Sequence, residues 1–212
     1  MGYKNFREVY HKLAIVLDHG YCLQLFRATE EKTFPKGIEA NSALVYGYID
    51  KSRGFSYKVL GLTYYEDGDY TLIRPNEELG MTVRGECFED FELIPIENKA
   101  FAKQFEIPIA ICNRVYSKKV DELLRSFTFL DPFRHHDHPD DILAVLFIPN
   151  VKPEKIWVRC KEYVSETEGR HFLTAQLLNE PFSDFGVHQG DEIMLAVFEE
   201  NGEHVALCFP KS

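Results

Sequence analysis

The sequence predicts an α+β protein: an N-terminal helix and an antiparallel meander, a further strand-helix-strand segment, and a small β-rich C-terminal module curled toward a barrel. Three observations carry this expectation. Short apolar runs of period two recur between turn signals over residues 156–209. A second set of such runs, rich in tyrosine, fills residues 42–74. Two stretches, around residues 6–17 and 120–127, place apolar residues at helical spacing instead. At 212 residues, 45% hydrophobic and 27% charged, the chain can bury one large core or two small ones and is not globally disordered. The turn chemistry at Asp131-Pro132 suggests a boundary there, giving an α+β region over 1–130 and a β-rich module over 131–212.

Asn5 and Glu8 make a capping pair ahead of Phe6, Val9, Tyr10, Leu13, Ala14 and Leu17, whose spacing predicts an amphipathic helix ending near Gly20. A strand over 21–26 and a loop over 30–41, holding Pro35 and Gly37, follow. The meander comprises strands at 42–49, 55–65 and 70–74, turned by Lys51-Ser52-Arg53-Gly54 and by Asp67-Gly68. One or two more strands lie within 81–96, interrupted near Gly85. The tyrosines Tyr46, Tyr48, Tyr57, Tyr64, Tyr65 and Tyr70 are either ordinary cross-strand packing or an aromatic binding face.

A short helix over 98–105 stops before Pro108, and the nearly continuous apolar run 107–115 suggests a buried strand. Ser117 caps a helix with the face Val120, Leu123, Leu124 and Phe127, and an apolar strand follows at 142–148. In the C-terminal module, residues 156–164 place Ile156, Val158 and Cys160 on one face and Trp157, Arg159 and Lys161 on the other. Runs at 172–178, 191–198 and 205–209 follow Glu168-Gly169, Gln189-Gly190 and Asn201-Gly202, the last being a strong hairpin signal.

The pattern His138-Pro139-Asp140-Asp141, Trp157-Val158, Leu178-Asn179-Glu180-Pro181 and Gly190-Asp191-Glu192-Ile193 resembles a group of small bacterial domains of unknown function. Some relatives of that group are associated with toxin-immunity loci. The resemblance covers the last third of the chain and implies a fold and a bacterial source. It supplies no catalytic residues.

Charge and composition narrow the function classes. The formal net charge is −10, and residues 156–212 carry 4 basic against 10 acidic residues. A phosphate backbone is repelled and no basic-aromatic stripe offsets this, so no nucleic-acid partner is expected, whereas a basic protein is attracted. No apolar run is long enough to span a bilayer, and charges occupy the place of a signal peptide's apolar region, so a cytoplasmic protein without membrane association is expected. The oligomeric state has no signature. The five cysteines are scattered without a CxxC pair and read as small buried hydrophobes.

No GxSxG elbow and no glycine-rich phosphate loop occurs, and Cys22 near His19 is a sequence proximity without geometry. No cofactor is implied. The dense set of possible metal ligands is the segment from His135 to Asp141, where His135, His136 and His138 with the carboxylates suit zinc, nickel or iron. Neighbours in a loop point apart, so the competing expectation is a polar surface linker. The favoured function is a non-enzymatic protein-binding module that neutralises a basic partner such as a toxin. Its candidate contacts are Glu199, Glu200 and Glu203 at the Asn201-Gly202 hairpin, with Trp157 either an exposed anchor or a packed core cover. The competing class is a metal-dependent enzyme or metal-binding protein using the 135–141 cluster.

Overall fold

The computed structural model describes residues 6–17, 40–75, 81–88 and 91–211. The cap at Asn5, the helix end at Gly20, the strand over 21–26, nearly all of the 30–41 loop, and His19 and Cys22 lie outside these. The fold is α+β. The chain divides into two compact units, Met1–Tyr116 and Ser117–Ser212.

In the first unit an antiparallel sheet runs in the order β4-β3-β2-β1-β6, with β5 also paired to β3. Its strands are β1 (Leu13–Leu17), β2 (Ser42–Asp50), β3 (Gly54–Glu66), β4 (Asp69–Pro75), β5 (Thr82–Arg84) and β6 (Glu92–Pro95). The meander thus forms where the turn residues place it, with Asp67 and Gly68 both at positive φ, 50° and 94°, as a tight hairpin requires. Gly85–Phe88 forms the 3-10 turn that breaks the 81–96 stretch.

The N-terminal helix is a correction. Among the described residues of this stretch only Phe6–Glu8 is helical, as a single 3-10 turn, and Leu13–Leu17 is a strand held between β2 and β6. Leu13 and Ile15 enter one core while Ala14 and Val16 enter the other. A strand buried on both faces loses its alternation, so its apolar residues satisfied a helical template by default.

The strand expected at 107–115 is also a correction. Lys99–Lys103 (α1) and Glu106–Tyr116 (α2) are both helices. Asn98 caps α1 with its Oδ1, which accepts from the N–H groups of Ala100 and Phe101 at 3.0 and 3.1 Å. Pro108 stands in the first turn of α2, where a missing N–H deprives the helix of nothing. The helix packs Cys112 and Ile109 on the sheet and leaves Ile107, Ile111 and Val115 exposed. A helix apolar on nearly all sides reads in sequence as a buried strand.

The second unit opens with α3 (Lys119–Ser126) and a 3-10 helix, Thr128–Phe133. Lys118, not Ser117, occupies the N-cap position and makes no side-chain cap bond. Five strands then close a barrel in the order β10-β11-β7-β8-β9: β7 (Asp141–Leu146), β8 (Glu154–Thr167), β9 (Arg170–Leu177), β10 (Glu192–Glu200) and β11 (Glu203–Pro210). No strand-helix-strand unit forms across 107–148: β7 pairs antiparallel with β8 and parallel with β11.

Strict alternation fills the barrel. Ile142, Ala144 and Leu146 of β7, Ile156 and Val158 of β8, Leu173, Ala175 and Leu177 of β9, and Ile193, Leu195 and Val197 of β10 are all buried in one cluster with Ala206 and Cys208. Leu124 of α3, Leu130 of the 3-10 helix and Phe185 of the β9–β10 loop join that cluster. These helical residues belong to the barrel's core, which is why the unit begins ahead of α3 and not at Asp131-Pro132.

Candidate protein-binding surface

The 135–141 segment is a strap held against the barrel wall. At 1% exposure Arg125 is buried, and its Nε and Nη2 donate to Asp140 Oδ1 and Oδ2 at 2.8 and 2.7 Å. Arg134 donates to Asp131 Oδ1 and to the backbone oxygens of Leu124, Phe127 and Pro139. On β8, Arg159 reaches Asp141 Oδ1 at 2.6 Å through Nη2. Burial pushes the Asp141 carboxyl above its ordinary value, against the opposing pull of Arg159. These planar guanidinium forks, matched to carboxylates and carbonyls, fix the backbone on either side of the histidines.

The three histidines do different things. His135 Nδ1 accepts the backbone N–H groups of Asp137 and His138 at 3.1 and 3.2 Å. The neutral ring therefore carries its proton on Nε2, which is a donor and not a free lone pair. The same ring packs on Trp157 at 5.0 Å and edge-on to His138 at 5.4 Å between centroids. His136 is exposed, with Nδ1 3.1 Å from Asp137 Oδ1. Among the described residues no group of three or more His, Cys, Asp or Glu side chains is placed to hold a metal ion.

Trp157 is half-buried on the outer face of β8, opposite in side to Ile156 and Val158. Its backbone N–H donates to Asn179 Oδ1 at 3.0 Å, and its backbone carbonyl accepts from Leu178 N–H at 2.9 Å. The Leu178-Asn179-Glu180-Pro181 turn is thereby tied to β8.

Beyond that turn the loop to β10 is ordered by carboxylates. Glu154 accepts the N–H groups of Phe182 and Ser183, both at 2.8 Å. Hydrogen bonding from Ser183 and these amides holds its carboxyl below the ordinary range. Glu180 accepts the Gln189 N–H at 2.8 Å and pairs with His188 Nδ1 at 2.7 Å, which lowers the carboxyl and raises the imidazole. The loop so fixed buries Phe185 and leaves Phe182 fully exposed.

The acidic residues gather at the other end of the barrel. Asn201 and Gly202, at φ 54° and 81°, turn β10 into β11, so Glu199 faces His204 and Glu200 faces Glu203 across the ladder. On β8–β9 the turn is Glu168-Gly169, with Glu166 facing His171. His171 is in turn paired with Val197 of β10, which sets the two hairpin ends side by side. Glu166, Glu168, Glu199, Glu200 and Glu203 are all exposed there. Arg170 lies over the Phe198 ring at 4.8 Å, and His171 approaches Glu166 at 3.7 Å. Glu166 and Glu168 were not among the residues singled out from sequence; only the β9–β10 pairing brings them beside Glu199. Trp157 is not part of this surface. It lies about eight paired positions along β8 from the turn, about 25 Å at the usual strand rise.

No helix among the described residues is long and apolar enough to cross a membrane. Comparison of the chain with protein-family models, with curated proteins and with solved structures returns no match.

Proposed function

We propose that this is a non-enzymatic bacterial cytoplasmic protein that binds a basic protein partner through the paired hairpin ends of its barrel. The observation carrying this reading is the acidic rim formed by Glu166, Glu168, Glu199, Glu200 and Glu203. Glu200 and Glu203 stand directly opposite in the ladder, an arrangement that destabilises a hairpin in isolation. A local rule broken at an exposed position points to an interaction beyond the fold. The rim projects from a closed barrel, so its charge acts on an approaching partner without disturbing the strands behind it. A toxin with a basic surface is the partner class suggested by the resemblance of the C-terminal third to domains associated with immunity loci.

Capture from native cell extract tests this reading. Immobilised protein should retain basic proteins at low salt and release them at high salt. The variant Glu199→Lys/Glu200→Lys/Glu203→Lys should retain none of them. Recovery of only acidic or uncharged proteins, or equal recovery by both, refutes it.

A further inference from the structure

We propose that the first unit carries a separate binding cleft for a small anionic amphiphile, a carboxylate or phosphate headgroup on an apolar body. Between β1, β2 and the helices α1 and α2 lies a hollow of about 460 Å³, within the range of ligand sites. Leu13, Ile96, Ala102 and Ile109 give it an apolar lining, while His11, Lys12 and Asn113 add polar groups. It adjoins a second hollow of about 530 Å³ across Ala102, Ile109 and Asn113, where Lys99 and Lys103 face a single acidic lining residue, Glu106. A chain of net charge −10 thus gathers three lysines and a histidine around one apolar groove.

The polar lining of the cleft is held in place by the backbone. His11 sits at φ 56°, a left-handed conformation that costs a non-glycine residue strain. It is locked there by two hydrogen bonds to Gly47: His11 N–H to the Gly47 oxygen at 2.9 Å, and Gly47 N–H to the Lys12 oxygen at 3.1 Å. Only glycine permits this crossing, since a Cβ at position 47 would stand 2.3 Å from the Val9 oxygen. The His11 ring stacks between Tyr10, at 4.0 Å and 23°, and Tyr46, at 6.0 Å and 13°. Tyr46 donates its hydroxyl to Asn113 Oδ1 at 2.8 Å, which occupies the acceptor end of that amide and leaves its NH₂ group as a donor. Lys12 Nζ spends one of its three donors on the Arg7 oxygen at 3.1 Å. Donors and positive charge bordering an apolar groove recognise an anionic head whose tail lies along Leu13, Ile96 and Ile109. This cleft is independent of the barrel's acidic rim.

Calorimetric titration of the full chain tests the proposal, using sodium decanoate, decyl phosphate, decyltrimethylammonium and inorganic phosphate, each below its micelle concentration. One or both anionic amphiphiles should saturate at one per chain, and whichever binds tighter identifies the head. The cationic amphiphile and inorganic phosphate should not saturate. Lys12→Met/Lys103→Met, at two exposed positions, and Asn113→Ala should each weaken binding about tenfold or more, as lost charge-assisted or amide hydrogen bonds do, with the circular dichroism spectrum unchanged. Amide shifts of Leu13, Ile96 and Ile109 should move on binding. Equal binding of the cationic amphiphile, saturation by phosphate alone, or decanoate and decyl phosphate affinities unchanged in the lysine double variant overturns the proposal.

Discussion

Asp140→Ala should be among the most damaging single substitutions in the barrel unit. Arg125 is buried with its guanidinium forked onto both Asp140 oxygens, and the carboxylate of Glu122, whose side chain is 36% exposed, stands 3.4 Å away. Truncating Asp140 takes the forked partner away from a buried positive charge. Breaking a buried pair from one side costs about 3–5 kcal/mol, and the residual Glu122 contact puts this case near the lower end, about 3 kcal/mol. For a unit of this size that corresponds to a fall in Tm of about 12 °C or more. Urea unfolding followed by fluorescence reads it directly, because Trp157 is the only tryptophan and lies on the barrel against His135. Replacing both partners, as in Arg125→Met/Asp140→Leu, should restore much of the loss. A cost below about 1 kcal/mol for Asp140→Ala would refute the reading of the 135–141 segment as a clamped strap.

Gly47→Ala should destabilise the first unit by at least about 2 kcal/mol, since the new methyl meets backbone at 2.3 Å and not a movable side chain; thermal unfolding by circular dichroism checks this. Burial pushes the thiols of Cys160 and Cys208 up to about 12 and that of Cys112 up to about 11, so iodoacetamide at neutral pH should spare these three in the native protein and label exposed Cys87, as peptide mass mapping will reveal. The Glu180–His188 pair gives the β9–β10 loop a pH window. The lowered Glu180 contributes stability above the ordinary value of 4.5 that is lost as pH falls through its folded value. The raised His188 contributes stability below the ordinary value of 6.5 that is lost as pH rises through its folded value. Hydrogen exchange corrected for intrinsic rates should therefore show greatest protection of the Gln189 amide between those pH values, and Glu180→Gln should abolish the window.

The barrel was legible in the sequence because each of its strands has one face inside and one outside. Ile156 and Val158 against Trp157 and Arg159 is a period-two signal that survives folding unchanged. The meander was legible through Asp67-Gly68, a turn whose residues tolerate positive φ. Where both faces are covered the signal fails: β1 imitated a helix, and the apolar α2 imitated a strand. The histidine cluster drew attention through composition, yet its buried anchor, Arg125, comes from an earlier helix that no local motif connects to it. The tyrosines divided by position. Tyr46, Tyr48 and Tyr57 are core residues, and Tyr64 alone of the six named from sequence is exposed. The acidic rim was half legible. Glu199, Glu200 and Glu203 share one hairpin, but Glu166 and Glu168 join them only through the β9–β10 register, a long-range pairing that sequence spacing does not encode.

The most direct test of the binding account is the association rate of the basic partner recovered from extract, measured by stopped flow at low and at physiological ionic strength. Steered association exceeds the unsteered rate of about 10⁵–10⁶ M⁻¹s⁻¹ and weakens as the Debye length shrinks to about 8 Å. Wild-type protein should associate rapidly at low salt and lose much of that rate at physiological salt. Glu199→Lys/Glu200→Lys/Glu203→Lys, with an unchanged circular dichroism spectrum, should associate at least about tenfold more slowly at low salt, with its salt dependence abolished or reversed. An association rate identical in the two proteins at both salt concentrations contradicts the account and leaves the rim a solvated edge of the barrel.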